Sequence, residues 1–333
     1  MNSATGLKSL GSEPTPMDAK DVRIFCELAF KELGVGEESG ANHGPREIGR
    51  RLGLDEKTVR SRIRKMEDSG FIKYYQATPS LALLGLRNLG LYRFEAMNIT
   101  TKQRVLAYLK SLPRVVEAFD FLGPVVSVSI AGSDPAEIKS TAGAIAGRFE
   151  LTNLRLGERL LREPGGRLDH LDWQIIRRLR YDARCTAKEV AGTLSITRRM
   201  AEYRMAKVQA SGAVLSRAVI DTRRQQGLVF YELDISLDPS RHIVVDKELR
   251  VMGGETLWSM TSPRPGALLA NLFGFGLGEP EETVFRTLTI DGVRSCSVLV
   301  LKEIAEPDRP NWIDSLIEAK ISSSYAPKGA ASS

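Results

Sequence analysis

The chain has 333 residues, 42% of them hydrophobic and 26% charged, the balance of a globular protein able to bury real cores, and its length suggests two to four domains. Three well-separated cysteines (Cys26, Cys185, Cys296) exclude a disulfide framework or CxxC metal pair, Met1–Pro16 lacks the apolar core of a signal peptide, and no apolar run approaches the roughly 18 residues of a membrane span, so a cytoplasmic protein with no membrane partner is expected. The formal net charge of +6 is unevenly spread: Arg167–Arg224 carries 13 Lys/Arg against 6 Asp/Glu, Gln225–Glu306 only 7 against 12, and basic charge gathered in one segment reads as a footprint for phosphate.

In chain order, residues 1–16 read as a disordered tail. Residues 17–78 read as a three-helix block ending in a strand. Its first helix opens near an Asp and repeats Val22, Phe25, Leu28 and Ala29 at helical spacing. A Gly-rich surface loop, Gly34–Gly44, is followed by a short helix at Pro45–Leu52 and a longer one at about Asp55–Ser69, which Gly70 can close in a left-handed cap. Phe71-Ile72 and the strand-like residues after it predict a wing. Residues 79–163 then alternate strands near Leu89–Ala96, Val115–Phe121, Val125–Ala131 and Leu151–Leu161 with helices near Thr101–Leu112 and Pro135–Phe149.

A linker at 164–167 (Pro164-Gly165-Gly166-Arg167) precedes a second pass through the same plan. Shifted by 142 positions, Leu52-Gly53-Leu54 falls on Leu194-Ser195-Ile196, Arg62-Ile63 on Arg204-Met205 and Ser69-Gly70 on Ser211-Gly212. Upstream, Asp18 through Leu28 matches Asp169 through Leu179 at a shift of 151; the nine-residue difference is the first copy's loop. Residues 168–224 therefore repeat the helical block, with helices at Ala187–Leu194 and about Thr197–Ser211. Residues 225–306 repeat the strand–helix unit, with strands near Val229–Leu237, Thr256–Thr261, Ala267–Phe273 and Ser295–Lys302 and helices near Arg241–Val251 and Pro280–Leu288. Residues 307–333 hold a last helix, near Pro310–Ile321, and a disordered tail. The predicted fold class is α+β: two winged helix-turn-helix domains alternating with two ferredoxin-like (βαββαβ) domains, an internal duplication. Each α+β sheet has one face free of helices, so the two should pair, as an intramolecular pseudo-dimer, a homodimer or both.

The long helix of copy one has an apolar stripe and, opposite it, Lys57, Arg60, Ser61 and Arg64 at i, i+3, i+4, i+7. With Thr58 they are the candidates for contacts in a DNA major groove, where Lys and Arg meet phosphate oxygens and guanine edges. The corresponding face of copy two is Arg199, Glu202, Tyr203 and Ala206, poorer in donors. Its candidates are Arg198, Arg199, Arg204 and Lys207, with Arg223 and Arg224 after the strand, in a role of gripping phosphates rather than reading bases. The alternative for copy two is a packing or dimerisation module. Arg62 and Arg204, the one basic position kept in both copies, are alternatively structural ion pairs.

These residues resemble a family. Leu168-Asp169-His170-Leu171-Asp172-Trp173-Gln174-Ile175-Ile176, Glu189-Val190-Ala191, Leu194-Ser195-Ile196-Thr197, Arg204 and Gly212-Ala213-Val214 are similar to the helix-turn-helix of the Lrp/AsnC (feast/famine) regulators; Asp18, Asp21, Glu47-Ile48-Gly49, Leu52-Gly53-Leu54, Arg62-Ile63 and Gly70-Phe71-Ile72 repeat the pattern in copy one. The resemblance implies transcription regulation, double-stranded DNA as partner, a ferredoxin-like sensing and dimerisation domain, and self-association; the tandem copy departs from the usual single unit. An effector in such regulators binds near a Gly-x-x-Asp-type turn between the middle strands. Here those turns read Gly123-Pro124-Val125-Val126 and Pro263-Arg264-Pro265-Gly266, without an Asp, so no effector residue is carried over and any small-molecule effector is unidentified.

Siroheme decarboxylases also resemble this plan, pair two such units, and by that resemblance use histidines and arginines around a tetrapyrrole. His43, His170 and His242 stand apart from one another and from any dense His/Tyr/Trp/Arg motif. Gly274-Phe275-Gly276-Leu277-Gly278 lacks the Lys-Ser/Thr of a phosphate loop. The expectation is a sequence-specific DNA-binding regulator, not an enzyme, with no metal or cofactor; the alternatives are a siroheme decarboxylase-like enzyme, a ligand-binding regulator without DNA, and an architectural DNA-binding protein.

Overall fold

The computed structural model describes residues 17–29, 44–224 and 227–324. The predicted tails, the Gly34–Gly44 loop as far as residue 43, and His43 lie outside the described residues. Among the described residues no helix is long and apolar enough to cross a membrane.

The first helical block consists of α1 (Ala19–Ala29), α2 (Pro45–Leu52) and α3 (Glu56–Asp68). Val22, Phe25 and Leu28 from α1, Ile48 from α2, and Val59, Ile63 and Met66 from α3 converge on one core, each at most 3% exposed. Gly53 takes φ +67 to make the turn between α2 and α3. Strand β1 (Ile72–Pro79) follows. The α+β unit after it is β2 (Asn88–Glu95), α4 (Ile99–Ser111), β3 (Val115–Phe121), β4 (Val125–Gly132), α5 (Pro135–Phe149) and β5 (Thr152–Leu160). The second copy repeats the plan: α6 (His170–Leu179), α7 (Ala187–Leu194), α8 (Arg198–Ala210) and β6 (Val214–Ile220), then β7 (Val229–Leu237), α9 (His242–Gly253), β8 (Leu257–Arg264), β9 (Ala267–Gly274), α10 (Gly278–Leu288) and β10 (Val293–Ala305). A final helix, α11 (Trp312–Ser324), closes the described chain.

The predicted wing strands are present. Each block supplies a single strand, and one strand alone leaves its backbone donors and acceptors unpaired. β1 and β6 therefore pair with each other, antiparallel, from Ile72↔Ile220 to Pro79↔Val214. The two helix-turn-helix blocks thus share one ribbon.

The α+β units also join. Each has the strand order of a ferredoxin-like sheet, and β3 pairs with β10 (Leu301↔Phe121, Ala305↔Ala118) to give one eight-stranded sheet, β5-β2-β4-β3-β10-β7-β9-β8. The expected intramolecular pairing is present in this form. The two outer strands approach each other: a Cβ on Gly157 of β5 would lie 1.9 Å from the carbonyl oxygen of Pro263 in β8, so only glycine fits. Helices cover the outside, and the helix-free faces look inward.

That interior is polar at its centre. Arg93 of β2 reaches across to Glu232 (2.7 Å) and Asp234 of β7, and Ser127 and Ser129 are buried beside it. Arg93 stands opposite Ser127 and Asp234 opposite Leu269, equivalent places in the two copies. A pair of identical units would bring like charges together at this point. Burial raises the Glu232 carboxyl to about 7, against the pull of Arg93.

Candidate nucleic-acid interface

Each helix-turn-helix is held by an ion cluster between its first and third helices. In the first block Asp21, whose side chain is 1% exposed, accepts from Arg62 at 2.7 Å and lies 3.5 Å from Lys65, while Asp18 accepts from the same guanidinium at 2.8 Å. In the second block buried Asp172 meets Arg204 at 3.0 Å and Lys207 at 2.6 Å, and Asp169 also binds Arg204. Asp169 and Asp172 form a reciprocal cap at the start of α6, as Asp18 and Asp21 do around the start of α1. Burial works against the charges of Asp18 and Asp169, but backbone N–H groups and the arginines outweigh it and hold both carboxyls below their usual value.

These contacts sort the sequence candidates. Arg62 adopts the structural role left open for it. Arg204 and Lys207 have donors committed to α6, so their positive charge is largely matched inside the block. Thr58 is half-buried, and its N–H bonds Asp55 at 2.8 Å, capping α3 together with its hydroxyl. The bond from Thr58 holds Asp55 below the ordinary carboxylate range. Lys57, Arg60, Ser61 and Arg64 are all exposed along α3, with Arg60 also paired to Glu56 one turn back. On α8, Arg198 and Arg199 are exposed, Arg198 bonding Glu202 at 2.8 Å; Tyr203 is 66% exposed beside them.

Arg223 and Arg224 lie in a short turn after β6. Both face Asp221, at 2.9 Å and 3.7 Å, and Arg224 packs against Gly70 at the end of α3. The shared ribbon therefore carries these second-copy arginines to the first helix-turn-helix.

Sequence reasoning missed the ties between the blocks. Arg184, between α6 and α7, bonds Glu67 of α3 at 3.0 Å and covers the Tyr75 ring at 4.1 Å; the Tyr75 hydroxyl bonds the same Glu67 at 2.7 Å. It also missed that α11 seats Ile313, Ile317 and Ile321 against α6 and bonds it through Arg177–Glu318 at 3.2 Å. No local motif announces such long-range contacts; only the apolar spacing of α11 hinted at a docked face.

Residues 42–73 match the family model of a winged helix-turn-helix DNA-binding domain. The HTH-type transcriptional regulator Ptr1 of Methanocaldococcus jannaschii is 35% identical over 89 residues, 26% of this chain and 57% of Ptr1, so the match spans a little over half of that relative. The siroheme decarboxylase NirDL shares the tandem fold: TM-score 0.53 and 14% identity over 92% of this chain and 99% of NirDL. AsnC of E. coli overlays 40% of this chain and 92% of its own, at 16% identity and TM-score 0.34.

Proposed function

We propose that this chain, similar to the Lrp/AsnC regulators in its helix-turn-helix, is a sequence-specific, double-stranded DNA-binding transcriptional regulator acting in the cytoplasm. The observation that carries the reading is the exposed row Lys57, Arg60, Ser61 and Arg64 on α3, inside the segment matched as a DNA-binding domain. A helix presenting four donors on one face suits the major groove, where such side chains meet base edges. Arg198 and Arg199 on α8, and Arg223 and Arg224 beside α3, supply phosphate contacts. Arg204 and Lys207 act chiefly by holding α8 in place. Because the α+β units already pair within one chain, self-association adds to that pair rather than creating it.

The test is selection from a randomised duplex pool, followed by titration of the winners at several salt concentrations. A recurrent motif bound more tightly than scrambled duplex is expected. Equal affinity for every duplex with a steep salt slope would instead indicate an architectural protein.

The fold shared with NirDL favours a second reading, a siroheme decarboxylase-like enzyme. Against it, His170 bonds the backbone of Ile321, and neither it nor His242 borders the interior or junction cavity. Uptake of a tetrapyrrole with a visible absorbance, together with no affinity for any duplex, would reverse the order of the two readings.

A further inference from the structure

A cavity of about 230 Å³ lies where the β1–β6 ribbon meets the first α+β unit. Five arginines and two glutamates border it. Arg217 is matched by both glutamates, 3.5 Å from Glu117 and 3.6 Å from Glu306, and Arg180 by Asp314 at 3.4 Å. Arg159, Arg162 and Arg309 form no ion pair within 4 Å among the described residues, Glu117 acting on Arg159 only from farther off; Arg309 lies over the Tyr74 ring, 3.2 Å from its centre. Three unmatched guanidinium groups around one cavity repel one another and favour an anion among them.

Arg159 is the informative member. Its side chain is accessible to solvent, yet protein surrounds it closely enough for burial to pull its pKa down against the support of Glu117, as befits a group on a concave wall. It also borders a second cavity of about 100 Å³ inside the curled sheet, whose wall sets Leu91, Phe119, Leu156 and Trp258 beside Glu117, Glu158 and Glu232, so the carboxylates of an anion belong on the junction side. Arginines on the wall of the junction cavity, with Leu81, Leu89, Leu161 and Leu215 lining the same cavity, describe the ligand. The larger space has the volume of roughly eight waters, which suits a small molecule.

We propose that this junction binds a small organic anion carrying carboxylates on an apolar frame, its charges on Arg159, Arg162 and Arg309. Because β1 and β6 form one wall, the ligand would bridge the ribbon bearing the helix-turn-helix blocks and the sheet. That regulatory consequence rests on the DNA-binding reading; the site itself does not. Calorimetry on the full chain, without DNA, tests the site with isophthalate (two carboxylates on a ring), benzyl alcohol (a neutral ring) and inorganic phosphate (an anion without a frame).

Isophthalate is expected to bind with a Kd below about 1 mM, the range two charge-assisted contacts supply. The double change Arg159→Ala, Arg162→Ala should weaken it at least about tenfold, with little change in melting temperature because both side chains are exposed and neither forms a close ion pair among the described residues. Arg250→Ala, on the far helix α9, should leave binding unaltered. Arg309→Gln serves as a second variant, expected to weaken binding in the same sense. No isophthalate heat at about ten times that concentration, binding indifferent to the arginine changes, or phosphate and benzyl alcohol binding as well as isophthalate would each overturn the proposal. Repeating the duplex titration with isophthalate present then reads the coupling separately.

Discussion

In the first helix-turn-helix, α3 shows solvent Lys57, Arg60, Ser61 and Arg64; in the second, α8 shows Arg199, Glu202, Tyr203 and Ala206 at the same places. Behind those faces the two blocks are nearly interchangeable: Asp18, Asp21, Arg62 and Lys65 in one, Asp169, Asp172, Arg204 and Lys207 in the other, joined by the same contacts. The difference separates two constraints. A buried carboxylate leaves its partner little freedom, since an unpaired charge there is costly. The outer face makes few contacts within the chain, so it can diverge with the ligand it meets. Among the described residues α11 braces the second block, while α1 has Arg23 bound to Glu255 at 2.8 Å near β8.

The largest effect should come from breaking the shared frame. Asp21→Ala and Asp172→Ala each remove a carboxylate that caps a helix and binds two cations. Each should cost about 3 kcal/mol, the lower end for a buried pair that loses one partner. Equal losses by chemical denaturation would show the frames to be equivalent. A much smaller loss for Asp172→Ala would show that α11 substitutes for the cluster. Acid probes the same frame: Asp18 and Asp169 are depressed in the folded state, so their contribution is complete above the unfolded value near 3.8 and disappears as pH falls through the lower folded values.

How much of this was readable beforehand follows from range. Helices α2 and α7 fall at Pro45–Leu52 and Ala187–Leu194 as expected, because caps and apolar spacing are local signals. Strands β3 and β7 and helix α5 likewise match to the residue. The wing strands were legible but their pairing was not, because a strand's partner is not encoded near it; β1 finds β6 more than 130 residues away. For the candidate site, helical spacing placed Lys57, Arg60, Ser61 and Arg64 together on one exposed face. The same rule could not show that Arg204 and Lys207 are turned towards Asp172, nor that the ribbon returns Arg224 to Gly70.

The next effect in size separates reading from gripping. Arg60→Ala should relax sequence preference by about 1–3 kcal/mol, the discrimination one good base contact supplies. Replacing Arg223 and Arg224 together should weaken all duplexes alike and lower the salt slope by about one per lost phosphate contact. Titrations of specific and scrambled duplexes measure both. If Arg60→Ala lowers both affinities equally while the Arg223/Arg224 change abolishes preference, the two roles are reversed.

The smallest expected effect asks whether α8 meets DNA at all. Glu202 sits on the face equivalent to Arg60's and pairs with Arg198 across one exposed helical turn. Surface pairs of this kind contribute little, so Glu202→Gln should change stability by less than about 0.5 kcal/mol. Its consequence for binding is of another kind: a carboxylate facing phosphates repels them, and its removal also frees Arg198. If α8 lies against the duplex, the Gln variant should bind every sequence more tightly, by a few-fold and most clearly at low salt, where the Debye length is longest. The gain should shrink as salt rises, which distinguishes it from a new base contact. An affinity unchanged at all salt concentrations would mean that α8 stands away from the DNA, leaving the second block as the packed and braced partner of the first.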